Sequence, residues 1–163
     1  MNQQKISLLI TDFDGVMTDG SVYINDSGEE TVRCSRIDSV GIHILKNAGI
    51  ETIVVSSEKS KVVKERCKKL EIESHVGVFD KLSYVSKILL ERNIKFSNTC
   101  FIGDEINDIA LLEKAGLSIC PRNALPNVKK LCDLVLDVSG GEGVIRAVAQ
   151  ILVSNPKWLV KER

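Results

Sequence analysis

Short apolar runs of strand length recur along the chain, separated by segments whose apolar residues fall at helical spacing. This alternation constrains the fold more than any other feature. Ile6 to Ile10, Thr52 to Val55 and Thr99 to Ile102 are the clearest runs, and Leu117 to Cys120 and Leu134 to Leu136 are weaker ones. Four or five mostly apolar residues in a row suit a strand buried on both faces of a parallel sheet. Between the runs, Val40, Ile44, Leu45 and Ala48 are expected to share a helical face that stops at Gly49. Val63, Cys67 and Leu70 form a second face, and Leu82, Val85, Ile88 and Leu89 a third. Ile109, Leu112 and Ala115 precede Gly116, and Val144, Val148, Ile151 and Leu152 line a last helix. Strands alternating with helices predict βαβ units with right-handed crossovers, hence a three-layer α/β sandwich around a central parallel sheet.

One segment departs from this rhythm. Ser21 to Ile24, the turn residues Asn25-Asp26-Ser27-Gly28 and Glu29 to Cys34 read as a β-hairpin, placed where a plain βαβ unit would begin its helix. The 163 residues suit one domain, expected over 1–153 with a hairpin flap at about 21–34 and a tail over 154–163 that Pro156 cuts off from the last helix. Lys+Arg 22 against Asp+Glu 22 argues against a nucleic-acid binder, which needs a basic surplus to displace counterions. The apolar runs are too short to span a membrane, Met1 to Lys5 carries no signal-peptide core, and five cysteines without a C-x-x-C pair suit a reducing cytoplasm, where the protein is expected. Cys34, Cys67, Cys100, Cys120 and Cys132 form no C-x-x-C pair and are read as small core residues, while His43 and His75 have no partner pattern.

In an open parallel sheet, ligands bind beyond the carboxyl ends of the strands. Asp12 and Asp14 follow the first run, Ser56 closes the second, and Asp104, Asn107 and Asp108 follow the third. Strand geometry would put Asp12 and Asp14 on one side. Clustered carboxylates repel unless a cation lies among them, and hard oxygens with no His or Cys nearby favour Mg²⁺. Such a site beside the Ser56 hydroxyl and the Lys81 ammonium suits phosphoryl transfer. Asp19, Asp26 and Asp137, taken singly, read as caps or turns.

Asp12-Phe13-Asp14-Gly15-Val16-Met17-Thr18-Asp19-Gly20 resembles the first motif of the haloacid dehalogenase-like phosphatases. Ser56 matches their second motif, Lys81 the third, and Gly103-Asp104-x-x-Asn107-Asp108 the fourth. The hairpin, Asp38-Ser39-Val40-Gly41-Ile42 and Gly140-Gly141-Glu142-Gly143-Val144-Ile145-Arg146 resemble the capless branch. That branch acts on 3-deoxy-octulosonate 8-phosphate or on sialic-acid-type nonulosonate 9-phosphates. The resemblance implies a Rossmann-like fold without a cap domain and an Mg²⁺-dependent sugar-acid phosphatase. Asp12 would be the nucleophile and Asp14 the acid and base. Asp12, the Asp14 carbonyl and Asp104 would hold the metal, with Asp108 and Asn107 behind them. Ser56 and Lys81 would bind the phosphoryl group and offset charge. Relatives use the hairpin to build a homotetramer in which one subunit closes the next subunit's site, so a homotetramer is expected.

The chain departs from the common Thr-Gly of the second motif with Ser56-Ser57, which keeps the hydroxyl. Lys59, Lys61, Lys64, Arg66, Lys68 and Lys69 read either as a solvated helix face or as a collar for an anionic sugar. Arg66 and Lys69 match substrate-side positions of the nonulosonate phosphatases. Gly140 to Gly143 reads as a phosphate cradle or as a tight turn. Glu58 and Asp38-Ser39 look like the nonulosonate branch, where octulosonate phosphatases carry Arg and Asp-Gly. The expected substrate is therefore a nonulosonate 9-phosphate, with octulosonate 8-phosphate as the alternative. Readings from other classes are a phospho-acceptor receiver domain and a non-catalytic oligomerisation domain like that fused to CMP-sialic acid synthetases.

Overall fold

The computed structural model describes residues 5–154. In chain order, β1 (Leu8–Thr11) is followed by the antiparallel hairpin β2 (Thr18–Ile24) and β3 (Glu30–Cys34). Then come α1 (Ile37–Asn47), β4 (Glu51–Ser56), α2 (Lys61–Leu70), β5 (Glu73–Val76) and α3 (Lys81–Glu91). The second half runs β6 (Thr99–Ile102), α4 (Ile109–Leu112), β7 (Leu117–Cys120), α5 (Pro126–Leu131), β8 (Leu134–Val135) and α6 (Val144–Ser154). The main sheet is parallel, in the order β5-β4-β1-β6-β7-β8. Its chain winds outward from β1 on one side, then returns to pair β6 with the other side of β1. This is the Rossmann-like three-layer arrangement expected from the sequence.

Pleating explains why the apolar runs are continuous. Leu9 of β1 packs with Val54, Ile102 and Ile119 toward α1, α2 and α6. Leu8 and Ile10 pack with Ile53, Val55 and Phe101 toward α3, α4 and α5. The inner strands β1, β4, β6 and β7 therefore bury both faces, and polar residues within them such as Thr52 and Ser118 are buried too. Cys67, Cys100 and Cys120 are buried in these layers as small apolar groups, and the cysteines are free.

The structure corrects several expectations. The first strand begins at Leu8, two residues late, although Ile6 is buried. Glu73-Ser74-His75-Val76 forms the edge strand β5 without an apolar run, because β4 alone pairs with it. The short α5 starts at a Pro in its first turn and has too few residues to show a period. On α1 the buried face is Asp38, Gly41, Ile42 and Leu45, and Val40 is 49% exposed. The rotation follows from packing on α6. A Cβ at Gly41 would lie 2.7 Å from the Arg146 backbone, so glycine is what lets the two helices meet. Asp19 makes the expected turn, accepting from the Ser21 N–H at 2.9 Å. Among the described residues, no helix is long and apolar enough to cross a membrane. Residues 155–163, most of the expected tail, lie outside those described.

Candidate active site

The winding direction reverses at β1, and the crevice at its carboxyl end collects the motif residues. The Asp12 N–H extends the ladder to the Ile102 carbonyl at 2.9 Å, after which the chain leaves the sheet. The N–H groups of Val16, Met17 and Thr18 all turn back to the Phe13 carbonyl. Phe13 is buried in the core, and Asp12 and Asp14 line one pocket on the opposite side. A tight turn, not a strand pleat, thus aligns the two carboxylates. Thr18 braces it: its hydroxyl accepts from the N–H groups of Gly15 (3.2 Å) and Gly20 (3.1 Å) and donates to Asp14 Oδ1 (3.4 Å).

The pocket has a volume of about 270 Å³ and is lined by Asp12, Asp14, Gly15, Gly20, Ser56, Ser57, Glu58, Asp104, Glu105 and Asn107. Lys81 opens α3 and lies beneath it, 1% exposed. Its Nζ is 2.9 Å from Asp12 Oδ1 and 2.6 Å from Asp108 Oδ1. The other Asp108 oxygen accepts from the N–H groups of Asp104 (2.9 Å) and Glu105 (3.2 Å). Ser56 is buried, and its Oγ accepts from the Glu58 N–H at 3.1 Å. Ser57, at the position where the motif usually carries Gly, stitches three loops. Its hydroxyl accepts from Asn107 Nδ2 (2.8 Å) and donates to the Val78 carbonyl (3.2 Å).

One buried ammonium faces four carboxylates, and the electrostatics follow. Burial, then repulsion from Asp12 and Asp108, pushes the Asp104 carboxyl up to about 7. Asp12 is raised by burial and by Asp108, against the pull of Lys81. Burial also raises Asp14, with Glu58 adding to it and the Thr18 hydroxyl opposing. Burial works to lower the Lys81 ammonium, but Asp12 and Asp108 outweigh it and hold it charged. A divalent cation answers this imbalance. Carboxylate oxygens of Asp12, Asp104 and Asp108 lie within 4.8 Å of one another, and Asp104 Oδ1 is buried without a hydrogen-bond partner. Both Asp108 oxygens already accept hydrogen bonds, from Lys81 and two backbone N–H groups, whereas Asp104 Oδ1 has none, so Asp12 and Asp104 are better placed to offer oxygens. The donor set is hard oxygen throughout, as Mg²⁺ requires.

Other expected residues fall elsewhere. Asp38 does not reach the pocket: it is fully buried and accepts from the N–H groups of Ile145 (2.9 Å) and Arg146 (3.2 Å), so it caps α6. Burial pushes its carboxyl up to about 6. The Ser39 hydroxyl donates to the Arg36 carbonyl at 2.7 Å. Arg66 and Lys69 line a separate groove of about 900 Å³ between the hairpin and α2, where Arg66 donates to the Ser35 carbonyl at 2.7 Å. Glu58 does line the pocket; the cap of α2 is Ser60, which accepts from the Val62 N–H. Gly140 and Gly141 press their backbones on the Gly15 to Asp19 turn instead of forming a phosphate cradle. Asn123, unmarked by any motif, bridges that turn to Gly140. Its only signal was turn chemistry in Pro121-Arg122-Asn123-Ala124.

Comparison with known proteins gives a consistent picture. The family model described as haloacid dehalogenase-like hydrolase matches residues 77–148. The chain is 34% identical over 151 residues to the 3-deoxy-D-manno-octulosonate 8-phosphate phosphatase KdsC of Salmonella typhi, covering 92% of this chain and 80% of that one. The phosphatase of the same name from Moraxella catarrhalis, solved with magnesium, phosphate and KDO, superposes with a TM-score of 0.89 at 28% identity, covering 93% and 88% of the two chains. The cobalt-bound octulosonate 8-phosphate phosphatase of Haemophilus influenzae gives 0.88 at 28% identity, covering 94% and 91%.

Proposed function

Since the chain belongs to the haloacid dehalogenase-like hydrolases, in their capless phosphatase branch, we propose that it hydrolyses 3-deoxy-D-manno-octulosonate 8-phosphate. Similarity to octulosonate phosphatases across 92% of the chain carries this reading. It replaces the nine-carbon substrate expected from Glu58 and Asp38-Ser39. Two of those three residues lie away from the pocket, since Asp38 caps α6 and Ser39 bonds its own helix start. Glu58 remains, and a carboxylate there can accept from the hydroxyls of either sugar.

In the proposed reaction an Asp12 oxygen attacks phosphorus and the bond to the sugar oxygen breaks. Asp14 donates the proton that the leaving alkoxide needs, then takes one from the water that cleaves the aspartyl phosphate. Burial raises the proton affinity of Asp14, the direction that favours its role as general acid. Lys81 orients Asp12 and balances charge, and Ser56 binds a phosphoryl oxygen. Asp12, Asp104 and the Asp14 carbonyl would hold Mg²⁺, which would supply charge neutralisation for the phosphoryl oxygens.

Phosphate release with Mg²⁺ tests the reading. The expected result is continuous turnover, with kcat/KM higher on octulosonate 8-phosphate than on nonulosonate 9-phosphates. The reverse order would restore the nine-carbon assignment. A single stoichiometric phosphorylation would favour a receiver domain, and no reaction on any phosphomonoester an oligomerisation module.

The active form is proposed to be a homotetramer. The hairpin exposes Val22 (48%), Tyr23 (62%) and Ile24 (68%), an apolar strip that two strands alone leave in water. Light scattering at micromolar concentration should give four chains per particle; a monomer would refute this.

A further inference from the structure

The turn carrying Asp14 and Gly15 leaves the sheet, so the sheet alone does not set its distance from Asp104. A five-residue loop after β7 does. The Leu125 N–H donates to the Asp104 carbonyl at 3.1 Å, and the Arg122 N–H donates to the Val138 carbonyl at 3.0 Å. Between them, Asn123 Nδ2 donates to the Gly15 carbonyl at 2.9 Å, and its Oδ1 accepts from the Gly140 N–H at 2.6 Å. One planar amide thus serves a carbonyl with its donor and an N–H with its acceptor. The parts it joins have no slack. A Cβ at Gly15 would lie 2.0 Å from Asp104 Oδ2, and one at Gly140 would lie 2.1 Å from the Gly15 carbonyl oxygen.

We propose that Asn123 is a positioning residue that, by holding the Gly15 carbonyl, keeps Gly15 against the Asp104 carboxylate and so sets the spacing of the Mg²⁺ ligands on the Asp12–Asp14 turn and Asp104. It touches neither metal nor substrate and acts through Gly15 and Gly140. The proposal rests on the Mg²⁺-phosphatase reading above.

The test is Asn123→Ala, titrated with Mg²⁺ by calorimetry on metal-stripped protein. Outer-shell partners of metal ligands typically change affinity by about 10–100-fold, and a loss of about tenfold is expected here. At fixed Mg²⁺, kcat should fall and recover in part as Mg²⁺ is raised, while KM for p-nitrophenyl phosphate stays unchanged. Asn127→Ala is the control: its Oδ1 accepts from the Val128 N–H at 3.1 Å at the start of α5, outside the pocket. Wild-type Mg²⁺ affinity in Asn123→Ala overturns the assignment, as does an equal loss in Asn127→Ala, which would indicate general loosening. A wild-type protein that takes no Mg²⁺ overturns the metal reading together with it.

Discussion

Asp12→Asn is expected to lower kcat by at least about 10⁴-fold, the scale seen when a covalent nucleophile is removed. An amide oxygen is a poor nucleophile and a weaker metal ligand than a carboxylate. Folding should not suffer. The native site holds Asp12, Asp104 and Asp108 within 4.8 Å of one another, so losing one charge relieves repulsion. Lys81 still pairs with Asp108 at 2.6 Å. The melting temperature without metal should therefore hold or rise. Phosphate release and calorimetry on protein purified free of wild-type enzyme check both halves. Retained turnover would remove Asp12 from the mechanism.

Lys81→Ala should behave in the opposite way, losing both activity and stability. Lys81 is the cation shared by Asp12 and Asp108, and all three side chains are nearly inaccessible to water. Removing it leaves two neighbouring buried carboxylates uncompensated. Breaking a buried ion pair from one side costs about 3–5 kcal/mol. For a domain of this size that corresponds to about 10 °C in melting temperature. Lys81→Met keeps most of the stem volume and separates lost packing from lost charge. Added Mg²⁺ should recover part of the stability, because a bound cation replaces some of the missing charge. A melting temperature within about 2 °C of wild type would mean that the carboxylates simply protonate, and that Lys81 matters to chemistry alone.

The two variants probe residues that sequence reading reached by different routes, and for Asp12 the reason is local. Asp12, Ser56 and Asp104 stand at or just past the ends of apolar runs, and a parallel sheet delivers strand ends to one edge. Once the alternation is recognised, their meeting needs no further information. Lys81 is different. It follows β5, which has no apolar signature because it is an edge strand with one neighbour, so Lys81 could be placed only through its motif.

Asp38 shows where such reading stops. It precedes the helical face expected from Val40 onward, and nothing local says that α6 arrives there from the other end of the chain. Its carboxylate turns inward because the first N–H groups of α6 need an acceptor and Gly41 allows the helices to touch. Asn123 is the same case: its partners, Gly15 and Gly140, are 108 and 17 residues away. Most of the strands and helices, the hairpin and the acidic site were written in periodicity and residue order, because hydrophobic burial and strand-end geometry act over a few residues. The buried face of α1, the capping of α6 by Asp38 and the clamp on the Asp14–Gly15 turn were decided by tertiary contact alone. Directional hydrogen bonds and van der Waals exclusion depend on which distant backbone comes within 3 Å.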